Sequence, residues 1–335
     1  MDKLLEVKDL VVRFRTYRGI VKALNGVTFD VNRGEIIGLA GETGSGKTVT
    51  GFTIMRLLPP NAMIINGSIL FNGIDLLKLD SKEMANIRGK KITAIFQDPH
   101  TYLNPVFRIG DQFIDILLHH MKNENKSKSE MKKDAWAQAV EMLREVGMPA
   151  PENVMRMYPH ELSGGMKQRV MIAMAFSLRP ELIIADEPTT ALDVSIQAQV
   201  LEIMKEMQKK YNTSVIFITH DLGVIAEVAR RVAVMYAGRI IEFGRVEDVF
   251  KEPLHPYTQG LLFALPRVDK DVKPQSIGGT VPDLVNPPKG CAFHPRCKYV
   301  MDICRESVPN FIEIGPEHYV ACHLYTGNKG GIKNA

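Results

Sequence analysis

Cysteine is absent from the first 290 residues of this 335-residue chain, and its four cysteines all lie between positions 291 and 322. The chain also lacks any run near the ~18 apolar residues that a membrane-spanning helix needs. Its charged start, Met1 to Glu6, leaves no place for the apolar stretch of a signal peptide. We therefore expect a cytosolic protein. In a reducing compartment, clustered cysteines indicate metal or redox chemistry before structural disulfides.

Strong net charge is missing as well. The formal net charge is only +4 and the sequence has no clustered basic face, so we predict that nucleic acid is not a partner. With 45% hydrophobic and 24% charged residues, the composition is that of an ordinary globular protein with enough apolar surface for a core. The length indicates one large domain or two.

Apolar segments bounded by turn signals predict five β-strands, at residues 4–14, 21–31, 36–40, 182–185 and 214–218. A helical pattern runs from about 100 to 178, within which Ser127 and Glu130 form a predicted capping box, and another fills about 191–209. Strand, crossover helix and strand in succession predict a mostly parallel sheet. Prolines then become frequent and periodicity is lost, which places a predicted domain boundary near residue 265.

A glycine-rich loop follows the apolar run 36–40 and precedes a predicted helix. It reads Gly41-Glu42-Thr43-Gly44-Ser45-Gly46-Lys47-Thr48, which matches the phosphate-binding pattern GxxxxGK[ST] in its required context. Glycines let backbone N–H groups converge on phosphates without Cβ atoms in the way. We predict that the loop binds ATP, that Lys47 neutralises the β and γ phosphates, and that the Thr48 hydroxyl binds Mg²⁺.

Two acids, Asp186 and Glu187, directly follow the apolar strand 182–185. Carboxylates at the end of a buried strand are costly unless a partner compensates them, and a metal ion and a reacting water are such partners. We predict that Asp186 holds Mg²⁺ through water and that Glu187 accepts a proton from the attacking water. An exposed acidic turn is the alternative interpretation.

Phosphate-binding loops occur in kinases, GTPases, helicases and motors, so the loop alone does not select a function. The deciding segment reads Leu162-Ser163-Gly164-Gly165-Met166-Lys167-Gln168-Arg169. It resembles the signature LSGGQ of the ABC ATPase family, with Met166 where glutamine is most familiar. Physically, a serine and two glycines at the start of a helix form a second anion site. The resemblance implies that each ATP lies between the phosphate loop of one subunit and the signature of another, so two such subunits pair head to tail.

Further positions match ABC-family elements in chain order. Gln97 resembles the Q-loop glutamine, which senses Mg²⁺ and the membrane partner, and Asp193 resembles the D-loop aspartate at the subunit interface. His220 resembles the switch histidine that contacts the γ phosphate. Tyr17 is predicted to stack on adenine, with Phe14 as the alternative.

The resemblance covers about residues 4 to 260 and implies an α/β fold. The implied architecture is a P-loop NTPase ABC cassette with a mixed or parallel sheet core, an antiparallel N-terminal β subdomain and a helical subdomain at about 100–178. We predict a nucleotide-binding domain at residues 1–265 and a small Cys-rich, metal-binding extension at residues 266–335.

Residues near the C-terminus indicate which members of the ABC family the chain resembles. His255-Pro256-Tyr257-Thr258 and the segment from Cys291 to Cys297 are similar to the C-terminal extension of oligopeptide and dipeptide importer ATPases, some relatives of which serve nickel uptake. The resemblance implies a peripheral subunit on the cytoplasmic face of the membrane. Its partners would be two permeases, an external solute-binding protein acting indirectly, and a second ATPase. That second ATPase is expected to be a related but different chain, and a homodimer is the alternative.

Five, six and seventeen residues separate the successive cysteines, which are Cys291, Cys297, Cys304 and Cys322. Four thiolates can hold zinc or an iron–sulfur cluster. Structural zinc sites usually pair cysteines about two to four residues apart, and no such pair occurs here. We therefore favour a 4Fe–4S cluster over zinc, with four reduced thiols in a small core as a third interpretation. His294 and His323 flank the cysteines and could replace one as a ligand.

The resulting prediction is an ATP hydrolase whose dimer closes on ATP and reopens after hydrolysis, driving a di- or oligopeptide importer. An importer ATPase for nickel or another small solute is the nearest alternative. A soluble ABC ATPase acting on DNA or ribosomes is less favoured because the chain has one cassette and no heptad run. The third hypothesis is a redox-sensing binding module. In such a module the cysteine tail has the regulatory role and ATP hydrolysis is incidental.

Overall fold

The computed structural model describes residues 2–121, 126–190, 192–264 and 277–326. The chain divides into two compact units. The first comprises Met1–Asp2, Asn32–Glu35 and Lys78–Ile216, and the second comprises Lys3–Val31, Ile36–Leu77 and Phe217–Ala335. The predicted domain boundary near residue 265 lies outside the described residues.

The described residues contain twelve β-strands and twelve α-helices. The strands are β1 (Lys3–Thr16), β2 (Gly19–Asn32), β3 (Ile36–Ala40), β4 (Ala62–Phe71), β5 (Ile74–Asp75), β6 (Ile92–Ile95), β7 (Leu182–Asp186), β8 (Ser214–Thr219), β9 (Arg231–Tyr236), β10 (Arg239–Arg245), β11 (Ile312–Gly315) and β12 (His318–Val320). The helices are α1 (Lys47–Ile54), α2 (Ser81–Ile87), α3 (Pro99–Tyr102), α4 (Ile109–His120), α5 (Lys128–Glu145), α6 (Pro151–Val154), α7 (Gly164–Phe176), α8 (Val194–Tyr211), α9 (Leu222–Val228), α10 (Val246–Lys251), α11 (Pro256–Phe263) and α12 (Asp302–Glu306). Three 3₁₀ turns occur at Pro159–Glu161, His294–Arg296 and His323–Tyr325.

An antiparallel sheet in the second unit begins the fold, with strand order β2-β1-β4-β5. β1 pairs antiparallel with β4, with Leu5 opposite Phe71. Along β1, Leu5 and Val7 are buried whereas Lys8 is exposed, the alternation expected of a strand with one face on a core. This is the antiparallel N-terminal sheet that the family resemblance implied.

A second set of strands in the same unit is mixed. β3 pairs parallel with β9, and β9 pairs antiparallel with β10. β10 then pairs antiparallel with β12, which pairs antiparallel with β11. The last two strands lie within residues 277–326, so this C-terminal part of the chain adds two strands beyond β10.

The first unit combines a parallel strand pair with most of the long helices. β6 pairs parallel with β7, with Ile92 opposite Leu182. Helix α5 begins after the predicted capping box, because Ser127 Oγ accepts from the Glu130 N–H and the Glu130 carboxylate accepts from the Ser127 N–H. The parallel pairs, antiparallel pairs and surrounding helices confirm the predicted α/β class with mixed sheets. No helix in the described residues is long and apolar enough to cross a membrane.

Candidate functional site: a phosphate-binding loop, an acidic strand end and a signature helix

The phosphate-binding loop connects β3 to α1 in the second unit. Two of its glycines adopt conformations that residues with a Cβ rarely adopt, with φ of +143° at Gly41 and +107° at Gly46. A Cβ on Gly41 would lie 2.3 Å from the carbonyl oxygen of Met235, and one on Gly46 would lie 2.7 Å from a methyl carbon of Leu24. Glycine is therefore required at both positions by backbone conformation and by packing.

Lys47, the first residue of α1, lies across this loop. Its Nζ donates to the carbonyl oxygens of Gly41 at 2.7 Å and of Glu42 at 3.2 Å. Nearby, Ser45 Oγ is buried and finds no hydrogen-bond partner among the described residues. Buried hydroxyls normally have a partner, so an unpartnered one inside a loop of backbone N–H groups fits a polyanionic ligand such as a nucleotide phosphate.

The remaining loop positions face solvent. Thr43, Gly44 and Thr48 are exposed. Gly46 is the N-cap residue of α1, which has no side-chain cap and no acid in its first turn. Because a helix N-terminus carries unpaired N–H groups and partial positive charge, this open side of the loop is the side on which we expect phosphates to bind.

The acidic strand end lies in the first unit. Asp186 is the last residue of β7 and is buried, whereas Glu187 follows it with φ of +46°, a left-handed conformation uncommon for a residue with a side chain. Glu187 Oε2 accepts from Gln97 Nε2 at 3.2 Å and from Thr190 Oγ1 at 2.9 Å. The structure thus brings together Gln97 and Glu187, two residues predicted to be catalytic, and adds Thr190, which the sequence analysis missed.

The signature segment begins helix α7 in the same unit. Ser163 is its N-cap, with Oγ accepting from the Met166 N–H at 3.3 Å, and Ser163 and Gly164 are exposed. A Cβ on Gly165 would lie 2.8 Å from Ile196 Cγ2, so packing against α8 also requires this glycine. The exposed serine and the first N–H groups of α7 are the groups of the predicted second anion site, and their binding of an anion stays a prediction.

The other predicted nucleotide residues are all at the surface. Asp193 is the N-cap residue of α8 and is exposed, with no capping hydrogen bond from its side chain. His220 is exposed at the end of β8, followed by Asp221, which caps α9. Tyr17 is 99% exposed in the turn between β1 and β2, whereas Phe14 is half-buried. Their predicted contacts with nucleotide or a second subunit stay predictions.

The four cysteines are reduced and lie in the second unit, Cys304 and Cys322 buried and Cys291 and Cys297 half-buried. Burial raises the pKa of the Cys291 and Cys297 thiols and raises that of Cys322 to about 12. Each of the other three cysteines is near enough to Cys322 to raise its pKa further. Within the described residues, however, no three His, Cys, Asp or Glu side chains are grouped to hold a metal ion. The present arrangement does not support the predicted 4Fe–4S cluster or the alternative zinc ion.

Arg296 and Tyr257 are two further residues that the sequence analysis did not connect with the site. Both contact Glu42 in the phosphate-binding loop, through a salt bridge and a hydrogen bond respectively. Glu42 occupies a position at which the motif accepts any residue, so the motif gives no signal for these contacts.

The mixed sheets, the glycine-rich loop with its lysine, the acidic strand end and the signature helix define an ABC-type ATPase of the P-loop class. Residues 24–190 match the ABC transporter family, and residues 241–304 match the family described as oligopeptide/dipeptide transporter, C-terminal region. The chain belongs to the oligopeptide and dipeptide transporter family of ABC ATP-binding proteins. This confirms both the predicted family and the predicted ABC-type ATPase.

Similar proteins cover nearly the whole chain. It is 53% identical over 327 residues to the oligopeptide transport ATP-binding protein OppD of Bacillus subtilis, covering 97% of this chain and 89% of that protein. It is 50% identical to the dipeptide transport ATP-binding protein DppD of Lactococcus lactis, covering 96% and 91%. OppD of Escherichia coli is 48% identical, with 96% and 93% covered.

Solved structures of ABC cassettes are similar to a smaller part of the chain. The dimeric post-hydrolysis state of the ATP-binding cassette MJ0796, bound to ADP and phosphate, has a TM-score of 0.61 at 26% identity and covers 72% of this chain and 98% of that one. CbiO1 from Clostridium perfringens, part of the ABC transporter complex cbiONQ, has a TM-score of 0.62 at 27% identity and covers 75% and 92%. These likenesses confirm the ABC cassette fold.

Proposed function

We propose that this chain binds and hydrolyses ATP to energise a membrane importer of di- and oligopeptides. The observation that carries the proposal is the loop from Gly41 to Thr48. It combines two glycines, Gly41 and Gly46, at which a Cβ would meet neighbouring atoms, a lysine lying across the loop and a buried hydroxyl without a hydrogen-bond partner among the described residues. The match of residues 241–304 to the oligopeptide/dipeptide transporter family supports peptides as the cargo.

Nucleotide binding follows from the loop. Backbone N–H groups of the loop and of the first turn of α1 donate to the phosphate oxygens, and Lys47 neutralises the β and γ phosphates. Tyr17 stacks on adenine from its exposed position. Thr48 and Asp186 would hold Mg²⁺, with Gln97 as a further ligand, and the ion supplies positive charge at the phosphates.

Hydrolysis requires a base for the attacking water. Glu187 accepts the proton as the water oxygen bonds to the γ phosphorus, and the bond to the bridging oxygen breaks to release ADP and phosphate. Gln97 and Thr190 donate to one oxygen of this carboxylate and so fix its direction. His220 contacts the γ phosphate from the end of β8 and stabilises its charge.

Pairing with a second ATPase supplies the other half of each nucleotide site. Ser163, Gly164 and Gly165 at the start of α7 bind the γ phosphate of ATP held by the partner, and Asp193 lies at the interface. This is supported by the exposure of Ser163, Gly164 and Asp193, and by the dimer of the similar cassette MJ0796. A related but different ATPase is the proposed partner, with a second copy of this chain as the alternative.

The remaining partners are two membrane permeases and, indirectly, an external solute-binding protein. The chain would bind the permeases at the cytoplasmic face of the membrane through the region around Gln97. Family membership supports this arrangement, because both matched families are transporter families.

Reconstituted uptake tests the proposal. The chain is co-expressed with its permeases and partner ATPase, the complex is placed in vesicles, and ATP-driven uptake of a labelled tripeptide is measured against uptake of Ni²⁺. Peptide uptake that disappears in a Lys47→Ala variant is expected. Uptake of Ni²⁺ without peptide uptake would show that nickel, not peptide, is the cargo. ATP turnover that is unchanged in the Lys47→Ala variant would contradict the proposed ATP site.

The four cysteines carry a second, finer proposal, a 4Fe–4S cluster bound by Cys291, Cys297, Cys304 and Cys322. It is supported by the nearness of Cys291, Cys297 and Cys304 to Cys322, each of which raises the Cys322 pKa, although the side chains of the described residues are not grouped as a metal site. Iron, zinc and acid-labile sulfide are measured on protein purified without oxygen. Iron with sulfide supports the cluster, zinc in equal amount supports the alternative ion, and neither metal leaves four structural thiols.

A further inference from the structure

The C-terminal segment, defined here as residues 277–326, contacts the phosphate-binding loop directly. Arg296 Nη1 and Nη2 donate to Oε2 and Oε1 of Glu42 at 2.7 and 3.0 Å. The Arg296 side chain is 4% exposed and that of Glu42 is 29% exposed. A two-bond contact between a guanidinium fork and a carboxylate is both strong and specific in geometry. The contact therefore ties one residue of the loop to the end of the chain.

Every polar group of Glu42 is engaged. Its N–H donates to the hydroxyl oxygen of Tyr257 at 2.8 Å. Its carbonyl oxygen accepts from the Ser45 N–H at 3.1 Å and from Lys47 Nζ at 3.2 Å. Glu42 therefore joins Arg296 through its side chain, and Tyr257 and Lys47 through its backbone.

Arg296 is itself held rigidly. Its Nε donates to the Gly278 carbonyl oxygen at 2.9 Å, and its guanidinium lies 5.8 Å from the ring centre of Tyr236 and 5.9 Å from that of Phe293. The rings of Tyr236, Phe293 and Tyr257 pack on one another, with centres 4.7 to 5.4 Å apart. Arginine stays protonated in proteins, so the guanidinium is fixed and charged before any ligand binds.

The same segment also contacts the turn that bears Tyr17. Asp283 pairs with Arg18 at 3.2 Å, and the Leu284 carbonyl oxygen accepts from the Lys22 N–H at 2.9 Å. The Arg18 pair is exposed and contributes little energy, but the backbone bond to β2 gives the segment a second point of attachment.

We infer that Arg296 is a positioning residue for the phosphate-binding loop, through which the C-terminal segment sets the affinity for nucleotide. Glu42 places a negative charge in a loop that binds polyanionic phosphates, and Arg296 neutralises that charge. It also fixes the loop residue whose carbonyl holds Lys47. The inference rests on the proposed ATP function, because its effect is on ATP binding.

A double-mutant cycle between Arg296 and Glu42 tests the inference. The full-length chain and its variants are titrated with a non-hydrolysable ATP analogue, and KM and kcat are measured on the complete complex. Arg296→Gln leaves an uncompensated carboxylate in the loop, so we expect Kd and KM to rise about tenfold at unchanged kcat. Glu42→Gln removes the charge together with the tether, so about a threefold rise is expected. The double variant should match Glu42→Gln.

Recovery in the double variant is the decisive readout. If Arg296 only helped the segment to fold, the double variant would bind no better than Arg296→Gln, and the inference would be wrong. Arg305→Gln, at an exposed arginine of α12, is the matched control and should leave Kd unchanged. If Arg296→Gln does not fold, Arg296→Lys should give an intermediate Kd, and an unaltered Kd in both Arg296→Lys and Glu42→Gln would overturn the inference. A wild-type chain that binds no ATP would instead overturn the proposed function.

Discussion

Two glutamates follow core strands of this protein, and their surroundings differ. Glu42 lies two residues after β3 and has both carboxylate oxygens bonded to the buried guanidinium of Arg296. Glu187 directly follows β7 and accepts from two uncharged groups, the Gln97 amide and the Thr190 hydroxyl. Both oxygens of the Glu42 carboxylate are paired with a fixed cation, and Oε2 of Glu187 accepts from an amide and a hydroxyl.

This difference indicates different roles for Glu42 and Glu187. A carboxylate whose oxygens are both held by arginine is suited to fixing a loop, since its charge is cancelled and its geometry set. A carboxylate whose direction is set by hydrogen bonds from an amide and a hydroxyl is suited to the proposed role of general base. The left-handed backbone of Glu187, φ +46°, adds to this assignment because strained positions cluster at functional sites.

The largest expected effect comes from Glu187→Gln, which keeps the shape of the side chain and removes its ability to accept a proton. We expect kcat for ATP to fall by about 10²- to 10⁴-fold with Kd unchanged. Steady-state turnover and nucleotide titration of the complete complex measure the two quantities. Glu42→Gln is the matched substitution at the other glutamate and should alter Kd while leaving kcat near its original value. A loss of turnover in Glu42→Gln at saturating ATP would remove the distinction between the two residues.

A third glutamate extends the comparison to stability. Glu242 is fully buried in β10, where its oxygens accept from the Leu254 N–H at 2.8 Å and the His255 N–H at 2.9 Å and contact His318 Nε2 at 2.9 Å. Glu242→Ala leaves these partners buried without a bond, so the free energy of unfolding should fall by about 2–4 kcal/mol. Urea unfolding measures it.

The control for that change is Glu317→Gln. Glu317 pairs with Arg245 at 2.8 Å, but both side chains are exposed, at 39% and 51%. Exposed pairs contribute about 0–1 kcal/mol, so this variant should unfold close to the wild type. Equal losses in the two variants would show that burial does not distinguish these carboxylates.

The sequence predicted the features whose residues are contiguous. The loop after β3, the acids after β7 and the signature at the start of α7 each combine an element boundary with a short motif, so spacing alone identifies them. The five predicted strands correspond to β1, β2, β3, β7 and β8, and the helix predicted at about 191–209 corresponds to α8. The sequence did not predict short strands such as β6, because four residues are too few to show a clear periodicity.

The missed features depend on residues far apart in the chain. Glu42 and Arg296 are 254 positions apart, and Glu242 and His318 are 76 apart. The local sequence pattern does not show which distant residues come into contact. A glutamate inside an apolar strand contradicts the apolar pattern of a buried strand until its buried hydrogen-bond partners are known. The cysteines are the opposite case, since spacing predicted a metal site that the side-chain placement of the described residues does not support.

Acid pH should destabilise the chain through His255. This side chain is fully buried and accepts from the Tyr257 N–H through Nδ1, and burial lowers its pKa from 6.5 to about 3. Between those values the unfolded chain binds a proton that the folded chain does not. The contribution of His255 to the free energy of unfolding is therefore fully present above pH ~6.5 and is lost as the pH falls toward 3. His255→Asn keeps a capping acceptor for Tyr257 and cannot be protonated in this range, so its loss of stability between pH 7.5 and 5.5 should be smaller. Urea unfolding at both pH values measures the difference, and equal losses in wild type and variant would contradict it.

The smallest expected fall in kcat is at Thr190, whose hydroxyl is the second neutral donor to Glu187. Thr190→Val keeps the shape and removes the bond of 2.9 Å, while Gln97 still donates at 3.2 Å. We expect kcat to fall about three- to tenfold with Kd for ATP unchanged, because the carboxylate loses part of its orientation and keeps its charge. Thr190→Ser retains the hydroxyl and should turn over ATP like the wild type. Equal turnover in the Val and Ser variants would mean that the hydroxyl does not orient the base, and a fall as large as that of Glu187→Gln would mean that it does more than orient it.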